Sequence, residues 1–97
     1  MPRQSNDQTL KEAVESMLKA YRLDDRVRQV KLINSWEKIM GPTVANRTTE
    51  IKIYGKKMFV NLNSASLRQE LFQEKGKILK LLNEEAGAIV LEEIVFQ

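Results

Sequence analysis

The hydrophobic period of this chain switches from helical to alternating midway, and where it switches limits the folds open to it. From Leu10 to Met40 apolar residues recur at three- and four-residue intervals, whereas from Ile51 to Leu62 they recur at every second position. Leu10, Val14, Met17, Leu18 and Tyr21 fall on one stripe of a helix, and Val27, Leu32, Ile33, Trp36, Ile39 and Met40 follow at roughly helical spacing. Ile51 and Ile53 then alternate with Lys52 and Tyr54, and Met58, Val60 and Leu62 alternate with Phe59 and Asn61, which is the pattern of two half-buried strands. Gly55-Lys56 between them fits a two-residue turn with glycine first. That turn sets Ile53 opposite Met58 and Ile51 opposite Val60, so every aliphatic side chain of the hairpin lies on one face.

Punctuation along the chain supplies the remaining boundaries. Residues 1–8 are polar and aperiodic and read as a flexible arm, with Asn6 or Asp7 available to cap the first helix. Asp24 or Asp25 suits the start of a second helix, after a short connection near Arg22 to Asp24. Trp36 falls on the last turn of that helix and is followed by a Gly41-Pro42 stop, with Gly41 expected in the left-handed conformation. A tryptophan there anchors a core, since its side chain buries roughly 150–250 Å². Thr43 to Arg47 leave room for one more turn before Thr48-Thr49 favour extended chain. A third helix is expected to start between Asn63 and Ser66, where Ser66 and Gln69 have capping-box spacing, and to run to about Glu85 before Gly87. Gly76 falls within it as a bend, a close contact or neither. Ile89 to Phe96 is rich in β-branched residues and reads as a last strand, with Ile94 and Phe96 facing the core.

The order is therefore α-α-β-β-α-β, an α+β fold in a single domain over residues 9–97. A three-stranded sheet with helices packed on one face satisfies every amphipathic pattern. The third helix must cross the sheet and return the last strand beside the hairpin and parallel to it. This order approximates the K-homology architecture, without the GXXG loop by which such domains clamp a nucleic-acid backbone.

Composition excludes several functions. Without histidine or cysteine the chain lacks the commonest general base, the thiol nucleophile and the soft metal ligands. Paired acids at Asp24-Asp25, Glu84-Glu85 and Glu92-Glu93 diverge by about 100° on a helix or 180° on a strand, so no pair converges on one atom. The expectation is a non-enzyme with no cofactor and no metal. No apolar run approaches the ~18 residues of a membrane span, and a soluble, cytoplasmic protein is expected. All sixteen Lys and Arg, against nine of the thirteen acids, lie in residues 1–80, a net +7; residues 81–97 carry −4. A basic body with an acidic end points mildly to nucleic acid or an acidic partner.

Candidate binding residues sit on the polar face of the hairpin. Lys52, Tyr54, Lys57, Phe59 and Asn61 share it, with Lys56 at the turn and Arg47 just before the first strand. Aromatic rings interleaved with cations stack bases and neutralise phosphates. The same alternation describes a sheet face that meets a protein, or one that is merely solvated. Arg22, Arg26, Arg28 and Lys31 make a second basic cluster, diluted by Asp24 and Asp25.

Several of these segments also carry a resemblance. Trp36-Glu37-Lys38-Ile39-Met40-Gly41-Pro42-Thr43-Val44-Ala45 fits W-x-x-[IV]-[MVL]-G-x-x-[VIL]-A. Gly55-Lys56-Lys57-Met58-Phe59-Val60 leads on to Ser64-Ala65-Ser66-Leu67-Arg68-Gln69-Glu70-Leu71. Ile78, Leu79, Leu82, Asn83 and Gly87 follow, then Ile94-Val95-Phe96. Together they resemble the DciA-like family of small bacterial proteins that operate or load the replicative DNA helicase. The resemblance implies a K-homology-like domain, the replicative helicase as partner, and single-stranded DNA as a ligand of some members, with Arg47, Lys56, Lys57 and Arg68 helping to hold it. Arg47 stands where many relatives carry His, and Leu67 where an aromatic residue is frequent. Many relatives also carry a basic extension after the closing strand, and a compact form is expected to do less or act differently. The alternatives are a small RNA-binding module using the Tyr54/Phe59 face and a purely protein-interaction domain.

Overall fold

A computed structural model describes residues 6–20 and 23–97. The elements are α1 (Asn6–Ala20), α2 (Leu23–Asn34), α3 (Trp36–Met40), α4 (Pro42–Arg47), β1 (Thr48–Tyr54), β2 (Lys57–Leu62), α5 (Ala65–Gln73), α6 (Lys75–Ala86) and β3 (Glu93–Phe96). Residues 1–5 of the expected arm and 21–22 of the expected connection lie outside the described residues. The first helix begins inside that arm, at Asn6, because Asn and Asp suit a first helical turn as well as the position before it.

The hairpin has the expected register. Ile51 pairs with Val60, Lys52 with Phe59 and Ile53 with Met58, and Gly55 opens the turn at φ 61°. A register shift between Thr48 and Glu50 interrupts the pairing at the start of β1. β3 lies parallel to β2, with Met58 beside Ile94 and Val60 beside Phe96, in the strand order β1-β2-β3. Ile53, Met58, Val60, Leu62, Ile94 and Phe96 thus form one buried sheet face, covered by Leu32, Trp36, Val44, Leu71, Ile78 and Leu82 from the helices. Each fully buried aliphatic side chain contributes about 1.5–3 kcal/mol.

The helices are more divided than the periodicity suggests. The second breaks at Ser35, whose φ of −103° and ψ of 8° leave helical geometry while its N–H still reaches the carbonyls of Lys31 at 2.9 Å and Leu32 at 3.2 Å. Trp36 therefore opens α3 instead of closing α2. The third breaks at Glu74, which lets α5 lie over β2 and β3 while α6 reaches α2 and β3. Its cap is Ser64 and not Ser66: the Ser64 hydroxyl accepts the Leu67 N–H at 3.3 Å, one residue ahead of Ala65. Gly76 lies inside α6, past the break at Glu74, and a Cβ there would meet nothing within 4 Å, so it marks neither the bend nor a close contact.

Two glycines end helices differently. Gly87 takes the left-handed conformation at φ 78° and ψ 9°, returning its N–H to Asn83. Gly41 has φ 90° but ψ 163°, not the expected left-handed values, because the ring of Pro42 drives the preceding residue toward extended ψ. Pro42 then starts α4 at the first helical position, where its missing N–H costs nothing.

The last strand is shorter than Ile89 to Phe96. The Asn83 side chain accepts the N–H groups of Val90 and Leu91 at 3.0 Å each and donates to the Leu91 carbonyl at 3.0 Å, so these residues are held by α6 and not by the sheet. Both remain fully buried. The stripe of α1 also departs from expectation: Leu10, Val14 and Met17 are 65%, 42% and 49% exposed, because α2 is the one described element that α1 packs against substantially.

Candidate nucleic-acid interface

With the helices that cover the sheet, α2 to α6, on one side, the opposite face is open. Period-2 alternation brings Lys52 and Tyr54 of β1 to it beside Lys57, Phe59 and Asn61 of β2. The parallel register adds Glu93 next to Lys57 and Val95 next to Phe59. Glu50, Lys52, Tyr54, Phe59, Asn61 and Gln97 line a shallow cleft of about 400 Å³ on this face. Tyr54 is 63% exposed and meets Phe59 edge-on, with ring centroids 5.9 Å apart at 62°. Such a pair offers aromatic surface to a ligand while holding its own geometry.

The charges of this face neutralise each other. Lys52 Nζ lies 3.4 Å from Glu50 Oε2, and Lys57 Nζ lies 3.3 Å from Glu93 Oε1. Asn61 donates to the other Glu50 oxygen at 3.3 Å. Hydrogen bonding to Glu50, followed by its charge, raises the Lys52 pKa above the ordinary lysine value. Two cations therefore face two carboxylates, and an incoming phosphate must compete with both.

The remaining candidates divide between the two ends of the sheet. Lys56 sits half-buried at the turn, its carbonyl accepting the N–H groups of Glu92 at 2.7 Å and Glu93 at 3.3 Å. Arg47 and Arg68 are at the other end, ~20 Å away by the rise of a six-residue strand. Arg47 is exposed at the end of α4, and its carbonyl accepts the Asn63 N–H at 2.9 Å. Arg68 is half-buried and donates from Nη1 to the Leu62 carbonyl at 3.0 Å, so its guanidinium already serves the strand end. The structure thus gathers Lys52, Tyr54, Lys57 and Phe59 on one surface, with Lys56 at its edge, and separates them from Arg47 and Arg68.

Four residues of this face, Glu50, Glu93, Val95 and Gln97, are not among the binding candidates that the sequence offers. Glu50 is findable, since it stands two residues before Lys52 on the same strand. Glu93 is not, because its place beside Lys57 depends on the register of a crossover. In the second basic cluster, Arg26 donates from Nη1 to the Ile53 carbonyl at 3.3 Å, which ties α2 to β1, and Arg22 lies outside the described residues. Among the described residues no three His, Cys, Asp or Glu side chains gather where a metal ion could sit. No described helix is long and apolar enough to cross a membrane.

Trp36 belongs to the scaffold of this face. It is 3% exposed, and its indole N–H donates to Thr48 Oγ1 at 3.0 Å, while the Thr48 hydroxyl donates to the Val44 carbonyl at 2.8 Å. The relay fastens α3 and α4 to the first residue of β1. The W-x-x-I-M-G-P segment is therefore structural. A family profile described as "Dna[CI] antecedent, DciA" matches residues 9–96, nearly the whole chain.

The chain belongs to the DciA family. DciA is the helicase-loader family, and membership places this chain among the proteins associated with the replicative helicase in DNA replication. No curated protein matches it. Within this DciA chain, Trp36, Gly41 and Pro42 build the α3–α4 corner that positions β1, and the open sheet face is the surface that corner leaves available.

Proposed function

We propose that this DciA-family chain works by binding alone, as an adaptor that docks on the replicative helicase in the cytoplasm and holds single-stranded DNA weakly. The observation that carries this reading is the self-neutralised sheet face. A dedicated phosphate groove leaves its cations free, whereas here Lys52 and Lys57 answer Glu50 and Glu93. A protein surface loses little by meeting such pairs at its rim and gains by covering Tyr54, Phe59 and Val95 at the centre. In this reading Tyr54 and Phe59 anchor the helicase subunit, Lys52 and Lys57 set the rim, and Lys56 and Arg47 supply phosphate contacts from the two ends of the sheet. Arg68 positions the end of β2. Docked on the ring, the domain biases it toward loading on single strands.

The test is the affinity of the purified replicative helicase for wild type, Tyr54→Ala and Phe59→Ala, measured by calorimetry. Truncating a central aromatic anchor costs about 2 kcal/mol or more, a loss of roughly thirtyfold. Unchanged affinity in both variants removes the sheet face from the helicase contact. The exposed Tyr54 ring also favours a second reading, a small RNA-binding module that stacks bases on Tyr54 and Phe59. Tighter binding of single-stranded RNA than of helicase or DNA, lost in Tyr54→Ala, would select it.

A further inference from the structure

The most anomalous surface of the molecule lies away from the sheet, on α1. This helix has fifteen residues, and α2 is its one substantial neighbour among the described elements. Isolated helices of ~12–15 residues are marginal in water, and amphipathic helices owe their stability to whatever covers the apolar stripe. Here the stripe of Leu10, Val14 and Met17 is open. At 100° per residue these three side chains fall within an arc of about 60°.

We infer that this stripe is the contact between two copies of the chain, formed by two α1 helices packed antiparallel about a two-fold axis. The charge pattern argues for that occupant. Lys11 and Glu15, both exposed, lie on one flank of the stripe, and Ala13 lies on the other. In an antiparallel pair centred between Ala13 and Val14, Leu10 lies level with Met17 of the second copy, and Lys11 lies within one residue, ~1.5 Å, of level with its Glu15, a gap its long stem spans. By symmetry Glu15 meets the Lys11 of that copy, which gives two ion pairs from one register. The same axis brings the two Ala13 flanks together, and small side chains there allow close approach. In a parallel pair the Lys11/Glu15 flank would face Ala13 and make no ion pair, so the sequence selects the antiparallel form. This is the self-complementarity that an isologous contact requires.

The size of the contact sets its strength. A strip ~22 Å long and ~10 Å wide on each copy amounts to on the order of 450 Å² in total, below the ~1,200 Å² of stable complexes. Association is therefore reversible and depends on concentration.

Sedimentation equilibrium of the full chain, from micromolar to millimolar, tests the inference. The weight-average mass of wild type should rise from one copy toward two. Lys11→Glu and Glu15→Lys should each weaken association by about five- to thirtyfold, because each puts like charges across the axis twice. Mixing these two variants in equal amounts should restore it, since the first variant then presents two carboxylates to the two ammonium groups of the second. Each variant keeps a like-charge pair within its own helix, so only contact between copies explains rescue. Val14→Glu should leave a monomer, and Ile89→Glu, exposed outside α1, should leave association unchanged. A wild type that stays monomeric, a mixture no tighter than its components, or equal loss in Ile89→Glu would overturn the inference. A monomer whose helicase affinity falls in Val14→Glu would also overturn it, by giving the stripe to another protein.

Discussion

Removing the Trp36 side chain tests whether the α3–α4 corner holds the sheet in place. Trp36 is 3% exposed, within the cluster that includes Leu32, Val44 and Ile53, so Trp36→Ala opens a cavity in the core. Large-to-small changes of aromatic residues at such sites cost about 3–5 kcal/mol, a large share of the ~5–15 kcal/mol that stabilises a domain. The hydrogen-bond part separates from the volume part. Trp36→Phe keeps most of the apolar contact and removes the indole donor; Thr48 Oγ1 loses that donor but still donates to the Val44 carbonyl, so the hydroxyl and the carbonyl keep a partner. Its cost should be about 1–2 kcal/mol. Thr48→Val strands both the indole N–H and the Val44 carbonyl, at about 1–3 kcal/mol each, and should cost as much or more despite its smaller change in volume. Urea denaturation of the three variants, with m-values checked for two-state behaviour, gives the ranking. A Trp36→Ala midpoint near wild type, or a Thr48→Val cost well below that of Trp36→Phe, would refute the relay.

Other consequences concern the sheet face and its latches. Because Lys52 and Lys57 are held by Glu50 and Glu93, single-stranded DNA should bind with a log-log salt slope no steeper than about −1.4, two contacts at roughly −0.7 each. Glu50→Gln with Glu93→Gln should free both lysines, steepen the slope and tighten binding; anisotropy across a salt series reads both, and an unchanged slope removes these lysines from the DNA site. The raised Lys52 pKa means that its partner favours the protonated form. Its small stabilisation is complete below the unfolded lysine pKa and is lost as pH rises through the folded one. Nuclear magnetic resonance titration should show the Lys52 midpoint fall in Glu50→Gln. Asn83→Ala leaves the N–H groups of Val90 and Leu91 and the Leu91 carbonyl without partners, and should cost about 3 kcal/mol or more by thermal melting. The purified chain should show no nucleotide hydrolysis or nuclease activity that survives purification through several columns.

Local order is legible in the chain because its causes are local. A glycine-first turn and a period of two decide the hairpin register, and each acts over a few residues. The Gly87 stop and the burial of Ile94 and Phe96 follow for the same reason. The short breaks at Ser35 and Glu74 carry no comparable signal, since both keep most of the helical hydrogen bonding. The cap of α5 lies two positions from the expected one because Ser64 and Ser66 are chemically equivalent, and only the geometry of the chain entering the helix distinguishes them.

By itself the sequence determined the hairpin, its polar face, the lack of histidine and cysteine chemistry, and the Trp36 to Ala45 segment that carries the family resemblance. Tertiary structure decided what that polar face means. Glu93 reaches Lys57 only because α5 and α6 carry β3 across the sheet into parallel register with β2. Gln29, buried on α2, donates to the Gly55 carbonyl 26 residues away and to the Val90 carbonyl 61 residues away, tying turn and crossover to one helix. The exposure of the α1 stripe is of the same kind. An amphipathic pattern states that an apolar face must be covered, but the covering surface is set by where other elements come to rest. Contacts so distant in sequence have no period to announce them, and they turned a row of apparently free lysines into a neutralised face.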